Sequence, residues 1–143
     1  MPLITIADLN SNIYPEVINE ITRNNDTITK TAINAAIQEA KLYLSRFDLI
    51  QLFGTDTIAP AITDSLLQRL LKDITSWHII RLANQNIDQP TYRLAYEDAV
   101  KILKNIMDGQ AIPDGWPYAS SQANLPDGNN VAWSSNDKRR NYY

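Results

Sequence analysis

Residues 63–84 read TDSLLQRLLKDITSWHIIRLAN, the longest run in the chain with a helical apolar period and neither Gly nor Pro inside it. Leu67, Leu70, Ile74, Trp77 and Arg81 recur every three or four residues, the spacing that returns a side chain to one face of an α-helix. Leu66, Leu71, Ile80 and Leu82 widen that stripe on both sides. A helix apolar over so much of its surface is expected at the centre of a small domain, touched from several directions. Thr63 is expected as its N-cap, with Asp64 adding negative charge at the positive end of the helix dipole. Arg69 and Lys72 reach solvent at the edges of the stripe. This is a packing element, and nothing in it is catalytic by itself.

Two further long helices are expected on either side of it. Over residues 30–47, with Thr29 or Thr31 near the cap, Ile33, Ile37, Ala40, Leu44 and Phe47 step by four, three, four and three. That is a coiled-coil-like seam. Ala32, Ala35 and Ala36 favour the helix and allow a close neighbour. Glu39 is expected to pair with Tyr43 or face water. Residues 48–62 lose the period, and they read as a helix end, an apolar loop and a turn. Residues 90–108 form the last long helix, with Asp88 or Gln89 at its cap and Pro90 in its first turn. Tyr92, Tyr96, Ala99, Leu103 and Ile106 form its seam, and Gly109 suits the position just past its end. Ile37, Leu70, Ile74 and Leu103 are expected in the core.

The N-terminal residues read as shorter pieces. Thr5-Ile6-Ala7-Asp8-Leu9 is a cap with one or two turns, and Pro15 opens a second short helix with Val17, Ile18 and Ile21 on its apolar side. Asn24-Asn25-Asp26 is turn chemistry. One carboxylate and two amides fall short of a calcium loop. The fold class that follows is all-α: a small helical bundle with three long helices, one or two short N-terminal helices and an extended C-terminal arm. The helical domain spans residues 1–109, and the arm spans residues 110–143.

The arm is rich in Pro, Gly, Asn and Ser and has no sustained period. Its apolar residues are mostly isolated aromatics: Trp116, Tyr118, Trp133, Tyr142 and Tyr143. Such a segment makes no core of its own, so it either stays unfolded alone or docks on a surface. Lys138, Arg139 and Arg140 balance Asp114, Asp127 and Asp137, which leaves the formal net charge of −3 to the helical part. These aromatics and the basic triplet are the candidate partner-binding residues. The triplet is either a solvated tail or a nucleic-acid contact working by charge and stacking.

Catalytic and metal chemistry find little footing. The chain has 143 residues, enough for one domain with a real core, and no cysteine, which excludes disulfides and cysteine zinc sites. His78 is the only histidine, so no two-histidine metal site exists on the helix that carries it. Its four glycines form no phosphate loop, and no serine stands in a nucleophile-elbow setting. Glu97 and Asp98 are adjacent and point apart on a helix, as a solvated pair does. Tyr92 and Tyr96 have core spacing. No catalytic residue, metal ligand or cofactor site is expected. No apolar run approaches the roughly 20 residues of a membrane helix, and Met1-Pro2-Leu3-Ile4-Thr5 lacks the form of a secretory signal.

Several segments, in order, carry a family resemblance. They are Thr5-Ile6-Ala7-Asp8-Leu9, Ala40 with Leu44-Ser45-Arg46-Phe47-Asp48-Leu49, and the apolar Leu49-Ile50-Gln51-Leu52-Phe53-Gly54. Leu71, Asp73-Ile74 and Trp77-His78-Ile79-Ile80 follow, then Tyr96-Glu97-Asp98-Ala99 with Leu103, then Gly109 with Ile112-Pro113-Asp114. Together they resemble the Mu-like Gp36-type family of phage and prophage head-completion or head–tail connector (adaptor) proteins. Thr75 stands where that family commonly has alanine, and the arm after Pro117 has no counterpart in it. The resemblance implies a non-enzymatic viral structural protein, a subunit of an oligomeric ring beneath the portal. Its implied partners are copies of itself, portal and tail proteins, and DNA passing through the channel without specific binding. Its implied location is the virion, or the host cytoplasm during assembly. A small helical nucleic-acid-binding regulator, using the basic tail, is the alternative from another functional class.

Overall fold

The computed structural model describes residues 3–83 and 88–120, and it is all-helical. A 3-10 turn at Ala7–Ser11 precedes α1 (Pro15–Thr22), α2 (Asp26–Tyr43), α3 (Leu49–Phe53), α4 (Ser65–Ile80) and α5 (Gln89–Met107). Among the described residues the only β feature is one antiparallel bridge, Phe47 to Tyr118. No helix among them is long and apolar enough to cross a membrane.

α4 occupies the expected centre, packed by α2, α5, α1 and the N-terminal turn. Its Leu67, Leu70, Leu71, Ile74, Ile79 and Ile80 have no exposed surface. Leu103 is equally enclosed, and Ile37 is buried. The stripe is displaced at its C-terminal end. Ile79 is core, Trp77 is half-buried, and Arg81 and Leu82 are exposed. Arg81 N–H still donates to Trp77 O, but beyond it the backbone tightens into 3-10-type bonds, Leu82 N–H to Ile79 O and Ala83 N–H to Ile80 O, which turns Leu82 off the helical stripe.

Cap chemistry moves several boundaries. α2 begins earlier than Thr29 or Thr31 would place it, because the Asn25 side chain accepts from Thr27 N–H at 3.0 Å. Arg23 and Asn24, both left-handed, separate it from α1. α2 also stops at Tyr43. Leu44 and Phe47 keep their seam spacing and are buried, but they sit on a turn closed by Phe47 N–H to Leu44 O. α4 is capped by Asp64 and not Thr63: the carboxylate accepts from Leu67 N–H at 2.8 Å. At α5, Asp88 caps and Gly109 takes the left-handed position past the end, both as expected.

Residues 48–53, read from sequence as an apolar loop, contain a helix. Asp48 Oδ1 accepts from both Ile50 and Gln51 N–H at 3.1 Å, which nucleates α3 and directs Leu52 and Phe53 into the core. Gly54 ends it at φ +70°, and a Cβ there would lie 2.5 Å from Ile58 O, so no other residue fits without movement.

Composition draws a boundary at residue 109, yet packing runs across it. Trp116 is only 4% exposed. Its ring meets Phe47 edge-on, with centroids 5.4 Å apart, and Tyr118 stacks on Phe47 at 5.0 Å. Asp48 N–H donates to Pro117 O at 2.8 Å, and Ala119 N–H donates to Arg46 O at 3.0 Å. Arg46 Nη2 also caps the end of α5 by donating to Met107 O at 2.8 Å. Residues 111–119 therefore form a strap across the corner between α2 and α3.

Candidate functional site

Three side chains from three helices converge at one point. Glu39 lies on α2, His78 on α4 and Tyr96 on α5. His78 Nε2 and Glu39 Oε2 are 3.0 Å apart, and Tyr96 OH donates to Glu39 Oε1 at 2.6 Å. Both carboxylate oxygens are thus engaged, a geometry that fixes the rotamers of all three groups. Trp77 stacks on Tyr96 at 6.2 Å and closes one side. Burial, followed by the Glu39 hydrogen bond, pushes the Tyr96 hydroxyl up to about 12 from its ordinary 10.0. A phenol held that firmly neutral is a poor proton acceptor or nucleophile near neutral pH. The network ties helices together.

Beside it opens a groove of about 290 Å³ between the first turns of α2 and the last turn of α4. Thr27, Ile28, Thr31, Ala32 and Ala35 form one wall, and His78, Arg81 and Leu82 form the other. Ala32 and Ala35 leave the floor open, where longer side chains would fill it. Leu82 is 57% exposed, Arg81 is exposed, and no described residue pairs with the guanidinium. The groove is apolar with one cation at its rim, which is a docking chemistry.

A second polar contact joins the N-terminal turn to α4. Asn12 Nδ2 donates to Asp73 Oδ1 at 2.8 Å, and Lys72 Nζ donates to Ser11 Oγ at 3.0 Å. Burial raises the Asp73 carboxyl above its ordinary range, against the opposing pull of Arg69 and Asn12. Among the described residues, no group of three His, Asp or Glu side chains is placed to hold a metal ion. The Asn25 amide oxygen is committed to capping α2. Glu97 is paired with Arg93 at 2.9 Å on the exposed face of α5.

The candidate partner-binding residues divide. Trp116 is packed against its own chain and is not free as an anchor for a neighbour, whereas Tyr118, stacked on Phe47, keeps 48% of its surface exposed. Trp133, Lys138, Arg139, Arg140, Tyr142 and Tyr143 lie outside the described residues. Sequence reasoning missed both the Glu39–His78–Tyr96 network and the groove. The local signal was slight: Glu39 and His78 each stand beside an apolar seam, and Tyr96 stands on one.

Compared with known proteins, the chain matches no family model, no curated protein and no solved structure.

Proposed function

We propose that the protein is a structural subunit of a phage or prophage head–tail connector ring, serving head completion as an adaptor between portal and tail. The observation that carries this reading is the distribution of apolar surface. Tyr14 before α1, Leu42 on α2, Leu94 on α5 and Ile112 in the strap are 77%, 74%, 62% and 75% exposed. They stand on different elements, while the best-formed polar cluster is turned inward between helices. A ring subunit must present apolar contacts in several directions, to two neighbours and to the structures above and below. An enzyme needs the reverse, converging polar groups at an open cleft.

The order of the sequence motifs supports the same reading. In the fold, Leu71, Ile74, Ile79 and Ile80 supply the core of α4, and Arg46-Phe47-Asp48 makes the corner that holds the strap. The net charge of −3 suits a channel wall that lets DNA pass without adhering.

The test is a phage or prophage in which this gene alone is inactivated. Heads that package DNA but leak it and gain no tail support the reading, as does the protein's presence in purified wild-type particles. Normal tailed particles without the protein refute it. Binding of the purified chain to one DNA sequence over bulk DNA, together with its absence from particles, favours the regulator instead.

A further inference from the structure

We infer that the groove between α2 and the end of α4 receives Tyr14 of a second copy of this chain, with Glu16 and Glu20 of that copy facing Arg81. The inference rests on the assembly reading and names the surfaces that would build it.

The groove selects the kind of occupant. Its volume of about 290 Å³ is at the small end of ligand pockets, which run about 300–1,000 Å³. That suits one large anchoring side chain. Its walls are aliphatic, with Thr27 and Thr31 as hydroxyl-bearing edges and Arg81 as the cation. The matching knob is aromatic, exposed and flanked by carboxylates.

Tyr14 meets all three requirements. It is 77% exposed, the highest value among the exposed large apolar side chains of the described residues. Pro15 follows it at the first position of α1, so the backbone that carries the ring is already held and little freedom is lost on docking. Glu16 and Glu20, one turn apart on α1, are exposed, and no described residue pairs with either. Other exposed apolar residues fit less well. Leu42, Leu94 and Ile112 are aliphatic, Leu42 also follows Lys41, whose charge repels Arg81, and Tyr118 is already stacked on Phe47.

The geometry also gives the contact its symmetry. Ser11, three residues before Tyr14, is bonded to Lys72. Arg81 lies nine residues beyond Lys72 in α4 and its cap, about two and a half turns at 3.6 residues per turn, which puts it on the opposite side of the helix. Knob and groove are therefore separate surfaces of the subunit. Each subunit would give its knob to one neighbour and its groove to the other. Such a heterologous contact repeats around an axis, and it gives a ring where the rotation closes and an open filament where it does not.

The chain contains no cysteine, so engineered thiols are unique. Purified full-length Glu16→Cys protein is mixed with Arg81→Cys protein at high concentration under mild oxidation, a pair that keeps Tyr14 in place. A mixed disulfide is expected, and Leu94→Cys mixed with Arg81→Cys should give none. In sedimentation velocity, Arg81→Glu and Tyr14→Ala should each weaken self-association by roughly tenfold or more. Adding Glu16→Arg and Glu20→Arg to Arg81→Glu should restore it. These positions are exposed, so circular dichroism should remain that of the unchanged chain.

Absence of the mixed disulfide, equal yield from the Leu94→Cys control, or unaltered self-association of Tyr14→Ala overturns the contact. Rings or particles that form without it leave the connector reading standing and the contact refuted. A mixed disulfide in a protein that never enters particles upholds the contact and refutes the connector reading.

Discussion

Replacing Trp116 by alanine tests whether the strap belongs to the body. The indole is 4% exposed and meets Phe47 edge-on at 5.4 Å. Truncating a buried Trp to Ala typically costs about 3–5 kcal/mol. One term works against that loss here. The indole Nε1 is buried without a hydrogen-bond partner among the described residues, and removing an unsatisfied donor relieves about 1–3 kcal/mol of desolvation. Taking the middle of each range, the net expectation is a loss of about 2 kcal/mol. For a domain of this size each kcal/mol moves the melting temperature by about 3–6 °C, so the fall should be roughly 6–12 °C. Thermal unfolding followed by the helical circular dichroism signal measures it. Trp116→Phe should recover much of the stability, since a ring again meets Phe47. A chain ending after Ser120 should melt close to the full chain, because the hydrogen bonds to Arg46 and Asp48 are kept. A fall below about 2 °C for Trp116→Ala, less than a single kcal/mol produces, would refute the packing argument.

Leu70 is fully buried in α4, and Leu70→Ala should cost about 2–5 kcal/mol in urea unfolding; a loss below about half a kcal/mol would displace α4 from the centre. Glu39→Ala strands the Tyr96 hydroxyl and His78 Nε2 together and should cost about 2–4 kcal/mol, whereas Glu39→Gln, which keeps an acceptor, should cost about half as much. The raised Asp73 carboxyl holds its proton more tightly folded than unfolded, so its contribution lowers stability as pH rises through the carboxylate range. Asp73→Asn should remove that part of the slope in unfolding measured across pH, and an unchanged slope would refute it. Tyr96, at about 12 against 10.0, keeps its full contribution below pH 10.0 and loses it as pH rises towards about 12. Tyr96→Phe should flatten that alkaline loss, and an identical alkaline profile would count against the neutral, Glu39-bonded hydroxyl.

The three long helices were legible because their signals are local. A 3.6-residue period needs only neighbours along the chain, and Pro15, Pro90 and Gly109 act through their own backbone dihedrals. The same local chemistry was present at Asn25 and Asp48 and was misassigned. A capping Asx and a turn Asx use the same side-chain oxygen on a nearby N–H, and only the direction of the following backbone separates them. That is why α2 starts earlier than its alanine-rich stretch suggests, and why residues 48–53 hide a helix.

The sequence by itself determined that this chain is helical, that α4 is its centre, and that it lacks cysteine, clustered histidine and glycine-rich loops. The tertiary structure decided everything that depends on distant residues meeting. Glu39 stands 39 positions from His78 and 57 from Tyr96, and nothing in their local spacing says that one carboxylate will serve both. Trp116 lies in a stretch whose composition resembles a linker, yet Phe47 and the free backbone groups of Arg46 and Asp48 hold it down. The physical reason is the same in both cases. Periodicity and capping are written in consecutive residues, whereas burial and hydrogen-bond satisfaction belong to pairs of surfaces, and a surface exists only once the helices have packed.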